Sequence, residues 1–228
     1  MTQHSSSHSL LQDRAAAGRR LVEPLQAYAH REDVIVLALP RGGVPVAYEV
    51  ATALGVHLDL MLVRKLGVPS HQEFAMGAIA SGGIQILNDQ ALLAHPIDKA
   101  AFDAVVARES HELLRREEVY RGSREPLQLK DQTVILIDDG LATGASMRAA
   151  IHATRVHEPS RIVVAVPVAP FETAEALRRE VDELICPLIP DWLMSIGNWY
   201  MDFSQTSDRE VIDLLQRAWQ RELGVSER

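Results

Sequence analysis

Short, predominantly apolar runs alternate along this chain with longer stretches in which apolar positions recur every three or four residues. The runs are Val34-Ile35-Val36-Leu37-Ala38-Leu39, Leu58 to Val63, Val134-Ile135-Leu136-Ile137, Arg161 to Val166 and Glu183 to Cys186. Branched apolar residues without polar alternation suit strands covered on both faces, the pattern of a parallel sheet buried between helices. Helical spacing marks the segments from about Leu10 to Ala29, Val44 to Leu54, Ile97 to Tyr120, Ala145 to His157, Phe171 to Val181 and Asp208 to Leu223, with Pro24 bending or interrupting the first. This βα alternation predicts an α/β fold built on a doubly wound, mostly parallel sheet.

Two regions depart from the alternation. Gly77 to Ala80 and Ile84 to Leu87 read as short strands or a hairpin turning at Gly82-Gly83, and Leu66 to Met76, with Gly67, Pro69 and several polar residues, reads as a mobile loop. Residues 1–9 are polar and rich in Ser and His, which predicts disorder, with His4 and His8 solvated. The remaining residues, 10–228, are expected to form a single domain. The helix over Ile97 to Tyr120 carries an Arg/Glu-rich face expected to be solvated.

Composition narrows the functions. A chain of 228 residues, 47% hydrophobic and 24% charged, suits one soluble domain with a substantial core. A net charge of -8 argues against a broad nucleic-acid surface, because such binding rests on clustered Lys and Arg. Cys186, within Leu184-Ile185-Cys186, has no second cysteine to pair with and is expected to serve as a small buried hydrophobe. No apolar run approaches the roughly 18–20 residues of a membrane span, and the first residues lack the apolar core of a signal peptide. A cytoplasmic protein is expected.

The chemistry concentrates in Val134 to Ser146. Asp138 and Asp139 fall at the carboxyl end of a buried strand, where open α/β sheets bind ligands. Gly140, Ala142, Gly144 and Ala145 let a ligand approach the backbone, Thr143 and Ser146 add hydroxyls, and the following helix presents unpaired N–H groups. The loop is expected to hold a phosphate. Asp-Asp-Gly could instead be a simple strand-to-turn signal and Ala142 to Ser146 a simple helix start. No GxGxxG follows a strand, no Lys precedes the hydroxyl residue as a nucleotide-triphosphate loop requires, and Arg148 replaces the second Gly of a hydrolase elbow. Upstream, Pro40-Arg41-Gly42-Gly43 repeats the strand-end, helix-start arrangement: two glycines can turn N–H groups toward an anion, and Arg41 can grip a phosphate with two donors. Arg64 and Lys65 follow the third apolar run, which would put two cations at the same sheet edge.

The segment VILIDDGLATGAS resembles the phosphoribosyl-diphosphate (PRPP) motif of the type I phosphoribosyltransferases. The resemblance implies that Asp138 and Asp139 hold the ribose 2′- and 3′-hydroxyls and that Ala142, Thr143, Gly144, Ala145 and Ser146 hold the 5′-phosphate. Arg41, Gly42 and Gly43 look like the family's pyrophosphate loop, with Arg64 and Lys65 completing it, so Asp138, Asp139, Arg41 and Lys65 form the expected catalytic set. Leu66 to Met76 stands where the family carries a flexible lid, from which His71 and Glu73 could reach a ligand. The pattern IPDW…IGNWYMDF loosely resembles the C-terminal hood of purine phosphoribosyltransferases, which implies base contacts from Trp192, Trp199, Tyr200 and Asp202. The expected layout is a core over about 30–170, a hood over about 187–205, and a final helix over 208–223, capped by Ser207, whose apolar face turns inward or to a homodimer interface.

The implied reaction is displacement of pyrophosphate from PRPP by a nitrogenous base, with magnesium held through PRPP and by Asp138 or Asp139; nucleic acid and membrane are not expected partners. A purine-like base is favoured, but Ala142 stands where hypoxanthine-guanine enzymes usually have an acid, and the Gly-rich base motif of uracil enzymes is missing. Two alternatives keep the same motif: a non-catalytic sensor of PRPP or nucleotides, and a hydrolase of phosphoribosyl compounds.

Overall fold

The apolar runs become strands because each lies between two helical layers that exclude water from both faces. A computed structural model of the protein describes residues 10–69, 71–94 and 97–226; the expected disorder of residues 1–9, with His4 and His8, lies outside them. Helix α1 (Arg14–Val22) starts on Asp13, whose side chain accepts from the Ala16 amide at 2.7 Å, and gives way to a 3-10 turn at Glu23–Tyr28, where Pro24 has no N–H for an α-helical bond. Strand β1 (Val34–Ala38), helix α2 (Gly43–Leu54) and strand β2 (His57–Leu60) follow. Then come β3 (Val63–Val68), β4 (His71–Ala80) and β5 (Ile84–Leu87), with helices α3 (Asp89–Ala94) and α4 (Lys99–Arg121) behind them. The last part holds β6 (Thr133–Ile137), α5 (Ala145–Val156), β7 (Arg161–Ala165), α6 (Phe171–Arg178), β8 (Glu183–Ile185) and α7 (Asp208–Ser226). Ser207 caps α7 by accepting from the Glu210 amide.

Five strands form a parallel sheet in the order β2-β1-β6-β7-β8, and β3-β4-β5 form a separate antiparallel sheet. This is the doubly wound, mostly parallel fold expected. Alternate side chains of one strand enter opposite layers: Val34, Val36 and Ala38 pack toward α1, α2 and α7, and Ile35, Leu37 and Leu39 toward α5 and α6. Each such buried Val, Ile or Leu side chain contributes roughly 1.5–3 kcal/mol. The chain passes from β1 outward to β2 and returns to β6 on the other side of β1, so strand order reverses between β1 and β6. A crevice therefore opens beyond their carboxyl ends, which lie side by side with Ala38 opposite Ile137.

Three expectations are corrected. Leu58 to Val63 is not one strand: β2 stops at Leu60, and the chain leaves the parallel sheet through Met61 and Leu62, whose amides bond Ala38 O and Ser81 Oγ. A short, largely apolar run does not reveal that it serves two sheets. Leu66 to Met76 is mostly strand rather than loop, since β3 and β4 pair antiparallel, with register shifts on both sides of Gly67. Burial of Leu66, Val68 and Met76 outweighs the Gly and Pro that suggested a loop. Finally, the charged face of α4 is not wholly solvated. Glu109 is buried in an ion pair with Arg64 at 2.6 Å, and Arg121 is buried against Asp59 of β2 at 2.9 Å, where the amides of Leu60 and Leu127 also bond the Asp59 carboxylate. Glu112, by contrast, is held to about 2 by Arg115 and Arg116 at the surface, as a solvated face would have it. Cys186 is partly buried, its thiol pushed up to about 12 by that burial, in keeping with a small hydrophobe.

Candidate active site

The acid pair and both glycine-bearing loops meet at the crevice between β1 and β6. Asp138 and Asp139 leave the end of β6 directly under Pro40-Arg41-Gly42-Gly43, whose Pro40–Arg41 peptide is cis. Contact between the two motifs is so close that a Cβ on Gly42 would stand 2.0 Å from Asp139 Oδ2, and one on Gly43 2.7 Å from Ile137 O. The glycines are required there by approach to the acids. Gly140 completes the packing, since a Cβ on it would meet Ile196 at 2.7 Å and Val168 at 3.0 Å.

The two carboxyls sit in different surroundings. Burial, followed by repulsion from Asp139, pushes the Asp138 carboxyl well above the usual carboxylate range, and its Oδ1 accepts from the Asp139 amide at 2.8 Å. Asp139 is also buried, and its Oδ2 accepts from Arg14 Nε at 2.7 Å. Arg14 reaches it from the first turn of α1, while its Nη1 donates to Ser204 O at 2.6 Å and its guanidinium lies 4.0 Å from the centre of the Phe203 ring. From the other side, the Tyr200 hydroxyl donates to Asp139 O at 2.6 Å; burial and the nearby acid raise that phenol far above its ordinary value.

After Gly140, the loop Ala142 to Ser146 stays exposed except for Gly144, which sits in the left-handed region with φ 74° as the N-cap of α5. Thr173 Oγ1 donates to Ala142 O at 2.8 Å and Arg148 to Thr143 O at 3.1 Å, so the loop carbonyls are tied outward toward α6 and α5. The first-turn N–H groups of α5 have no carbonyl within the helix to bond, which suits an anion at this end.

The other predicted residues divide. Arg41 lies beside the crevice but pairs with Asp208 of α7 at 3.5 Å. Arg64 and Lys65 are placed in β3 of the antiparallel sheet rather than at the end of the parallel one, because β2 ends early. As neighbours on a strand they face opposite ways: Arg64 to Glu109 of α4, and Lys65 into a groove of about 340 Å³ between that sheet and α5, shared with Ala145 and Ser146. In the stretch expected to form a hood, a 3-10 turn at Ile196–Trp199 leads into a strap that pairs with the residues before α1: Leu11 N bonds Trp199 O at 2.9 Å, Met201 N bonds Leu11 O at 2.8 Å and Asp202 N bonds Gln12 O at 2.9 Å. Trp192 is 73% exposed, Trp199 packs partly into the core, and Tyr200 is buried as the prop under Asp139. Asp202 accepts from the Ser204 amide, which with the Ser204 side chain holds its carboxyl below the usual range. The side chain of Glu73 is outside the described residues. Sequence reading missed Arg14, Phe203 and Asp208; Asp13, a helix N-cap, was the one local signal that the residue after it opens a helix.

Set beside known proteins, residues 7–197 match the model of the phosphoribosyl transferase domain. The chain belongs to the phosphoribosyl transferase family. It is 43% identical over 209 residues to proteins from two strains of Mycobacterium tuberculosis that are named provisionally as phosphoribosyl transferases, covering 92% of this chain and 47% of theirs. The chain thus spans about half the length of the curated relatives it matches. Among solved structures it resembles TT1426 from Thermus thermophilus, at 41% identity and a TM-score of 0.80, covering 91% of this chain and 98% of that one. A protein of Aquifex aeolicus, 12% identical with a TM-score of 0.50 over 81% of this chain and 78% of its own, shares the fold alone. Among the described residues, no helix is long and apolar enough to cross a membrane.

Proposed function

We propose that the protein transfers the phosphoribosyl group of PRPP to a nitrogenous base, purine-like by preference, with release of pyrophosphate. The observation that carries this reading is the adjacency of Arg41-Gly42-Gly43 and Ala142 to Ser146 on either side of Asp138 and Asp139. A ligand with phosphates at both ends and a diol between them matches that order of donors and acceptors. In this reading the acids accept hydrogen bonds from the ribose hydroxyls, the α5 loop anchors the 5′-phosphate, and Arg41 with the Gly42 amide stabilises charge gathering on the leaving diphosphate, the Gly43 amide being bonded to Leu39 O. Arg64 and Lys65 are further candidates for the diphosphate, and Trp192, Trp199 and Asp202 for the base. Fixing the sugar at both ends holds its anomeric carbon where an incoming base nitrogen can displace the diphosphate.

Magnesium fits the donor set in one way. Among the described residues no cluster of three or more His, Cys, Asp or Glu side chains forms a cage. Magnesium instead suits a site where substrate phosphates supply most ligands and Asp138 or Asp139 adds a hard oxygen. Bound so, it neutralises diphosphate charge. The partners proposed are PRPP, a base and a second copy of the chain, in the cytoplasm.

Pyrophosphate release from magnesium-PRPP, measured with a panel of purine and pyrimidine bases and with none, tests the reading. Base-dependent release is expected. Release without any base would indicate hydrolysis, and binding without release a sensor.

A further inference from the structure

Asp139 is gripped from three elements, and one of the grips is a cation far from it in sequence. The loop after β1 comes so close that a Cβ on Gly42 would stand 2.0 Å from its Oδ2, Tyr200 holds its carbonyl from the strap, and Arg14 of α1 bonds Oδ2 at 2.7 Å. Both side chains of the ion pair are 12% exposed, so the contact is shielded from bulk water. The same guanidinium bonds Ser204 O and lies on Phe203, so its three contacts join the acid to the strap. Arg41, the cation of the neighbouring loop, is turned away to Asp208 and leaves this part of the crevice to Arg14.

We propose that Arg14 is a positioning residue: it turns Asp139 so that Oδ2 faces the protein and Oδ1 is presented to the ribose hydroxyls, and it couples that orientation to docking of the strap over residues 200–204. The ribose part rests on the reading of Asp139 given under Proposed function. Two consequences separate this from a plain structural tether. A ligand that uses the ribose acids should respond to the charge on Arg14, whereas one confined to the diphosphate subsite should not. The strap should loosen when either partner of the ion pair is removed, and removing both should loosen it no further than removing Arg14 alone.

Calorimetry with magnesium-PRPP and with pyrophosphate, on the full chain and on Arg14→Gln and Arg14→Lys, reads the first consequence. Arg14→Gln is expected to weaken PRPP about tenfold or more while pyrophosphate stays within about twofold, and Arg14→Lys to recover most of the loss, since one charge-assisted bond can be rebuilt by an ammonium. Unchanged PRPP affinity in Arg14→Gln, or equal losses for both ligands without rescue by Lys, overturns the proposal. Hydrogen exchange in ligand-free protein reads the second at the amides of Met201 and Asp202. Arg14→Gln and Asp139→Asn should each speed exchange, and the double variant should add nothing further; unaltered or additive rates overturn the coupling. If the unsubstituted protein binds neither PRPP nor pyrophosphate, the reading under Proposed function falls with the ribose role, and the exchange data alone decide the coupling.

Discussion

Arg41 and Asp208 face each other at 3.5 Å, joining the loop after β1 to the first turn of α7. Asp208 also accepts from the Tyr120 hydroxyl at 2.7 Å; that bond, with Arg41 behind it, holds the Asp208 carboxyl below its usual range, while burial and Asp208 push the Tyr120 phenol up to about 12. A carboxylate thus occupies the guanidinium assigned to the diphosphate. Because both side chains are partly solvated, the pair is worth no more than about 1 kcal/mol. Asp208→Asn should therefore tighten pyrophosphate by up to about fivefold. Titration calorimetry decides it, and weaker binding in the variant would mean that Asp208 orients Arg41 rather than competing for it.

Gly42→Ala puts a methyl group 2.0 Å from Asp139 Oδ2, an atom already pinned by Arg14. Either the acid or the loop must move. The expected result is a PRPP affinity at least about tenfold lower, or roughly 1.4 kcal/mol, in a protein whose circular dichroism is unchanged. Full affinity would show that neither group touches the ligand.

Asp138 carries a raised pKa, so the folded protein resists its ionisation. Relative to the unfolded chain, stability is undiminished below the ordinary value of 3.8 and declines as pH rises from there toward the raised folded value. Asp138→Asn removes the ionisable group and should raise the melting temperature near neutral pH, with the gain vanishing in acid. Its PRPP affinity should fall by about 1–3 kcal/mol through the lost acceptor. Thermal scans from acid to neutral pH give the test; a variant less stable at every pH would contradict the assignment of the raised value.

Arg64 and Lys65, adjacent in sequence, should behave differently. Arg64→Ala leaves the buried Glu109 with Arg108, which is 62% exposed, and should cost about 1–3 kcal/mol of stability. Lys65→Ala should stay within about 0.5 kcal/mol, as surface changes usually do. Denaturant titration separates the two, and equal costs would mean that Glu109 does not depend on Arg64.

The parts of the site that lay in one stretch could be read from the chain. Val134 to Ser146 contains a strand, two acids and a helix start in order, and strand pairing then places Gly42-Gly43 beside them without further information. Contacts across distant segments could not be read. Arg14 lies 125 positions from Asp139 and 190 from Ser204, and nothing in the periodicity of α1 distinguishes it from its neighbour Arg19, which pairs with Glu49 at the surface. The error at Leu58 to Val63 has a similar origin, since where this largely apolar run leaves the parallel sheet goes with its one charged residue, Asp59, pairing with the distant Arg121. Leu66 to Met76 failed for another reason: Gly67 and Pro69 are true irregularities, but they sit within a hairpin anchored by the buried Leu66, Val68 and Met76.

The pairing of Leu11 and Gln12 with Trp199, Met201 and Asp202 has a bearing on the order in which the protein is made. A ribosome releases α1, both glycine loops and the acid pair well before Tyr200 and Ser204. For that interval Arg14 and Asp139 can meet, yet the hydroxyl under the acid and the carbonyl beyond the guanidinium do not exist. The corner around Asp139 is thus braced late, and a chain arrested before residue 200 would carry all of Val134 to Ser146 without the strap contacts that hold that acid.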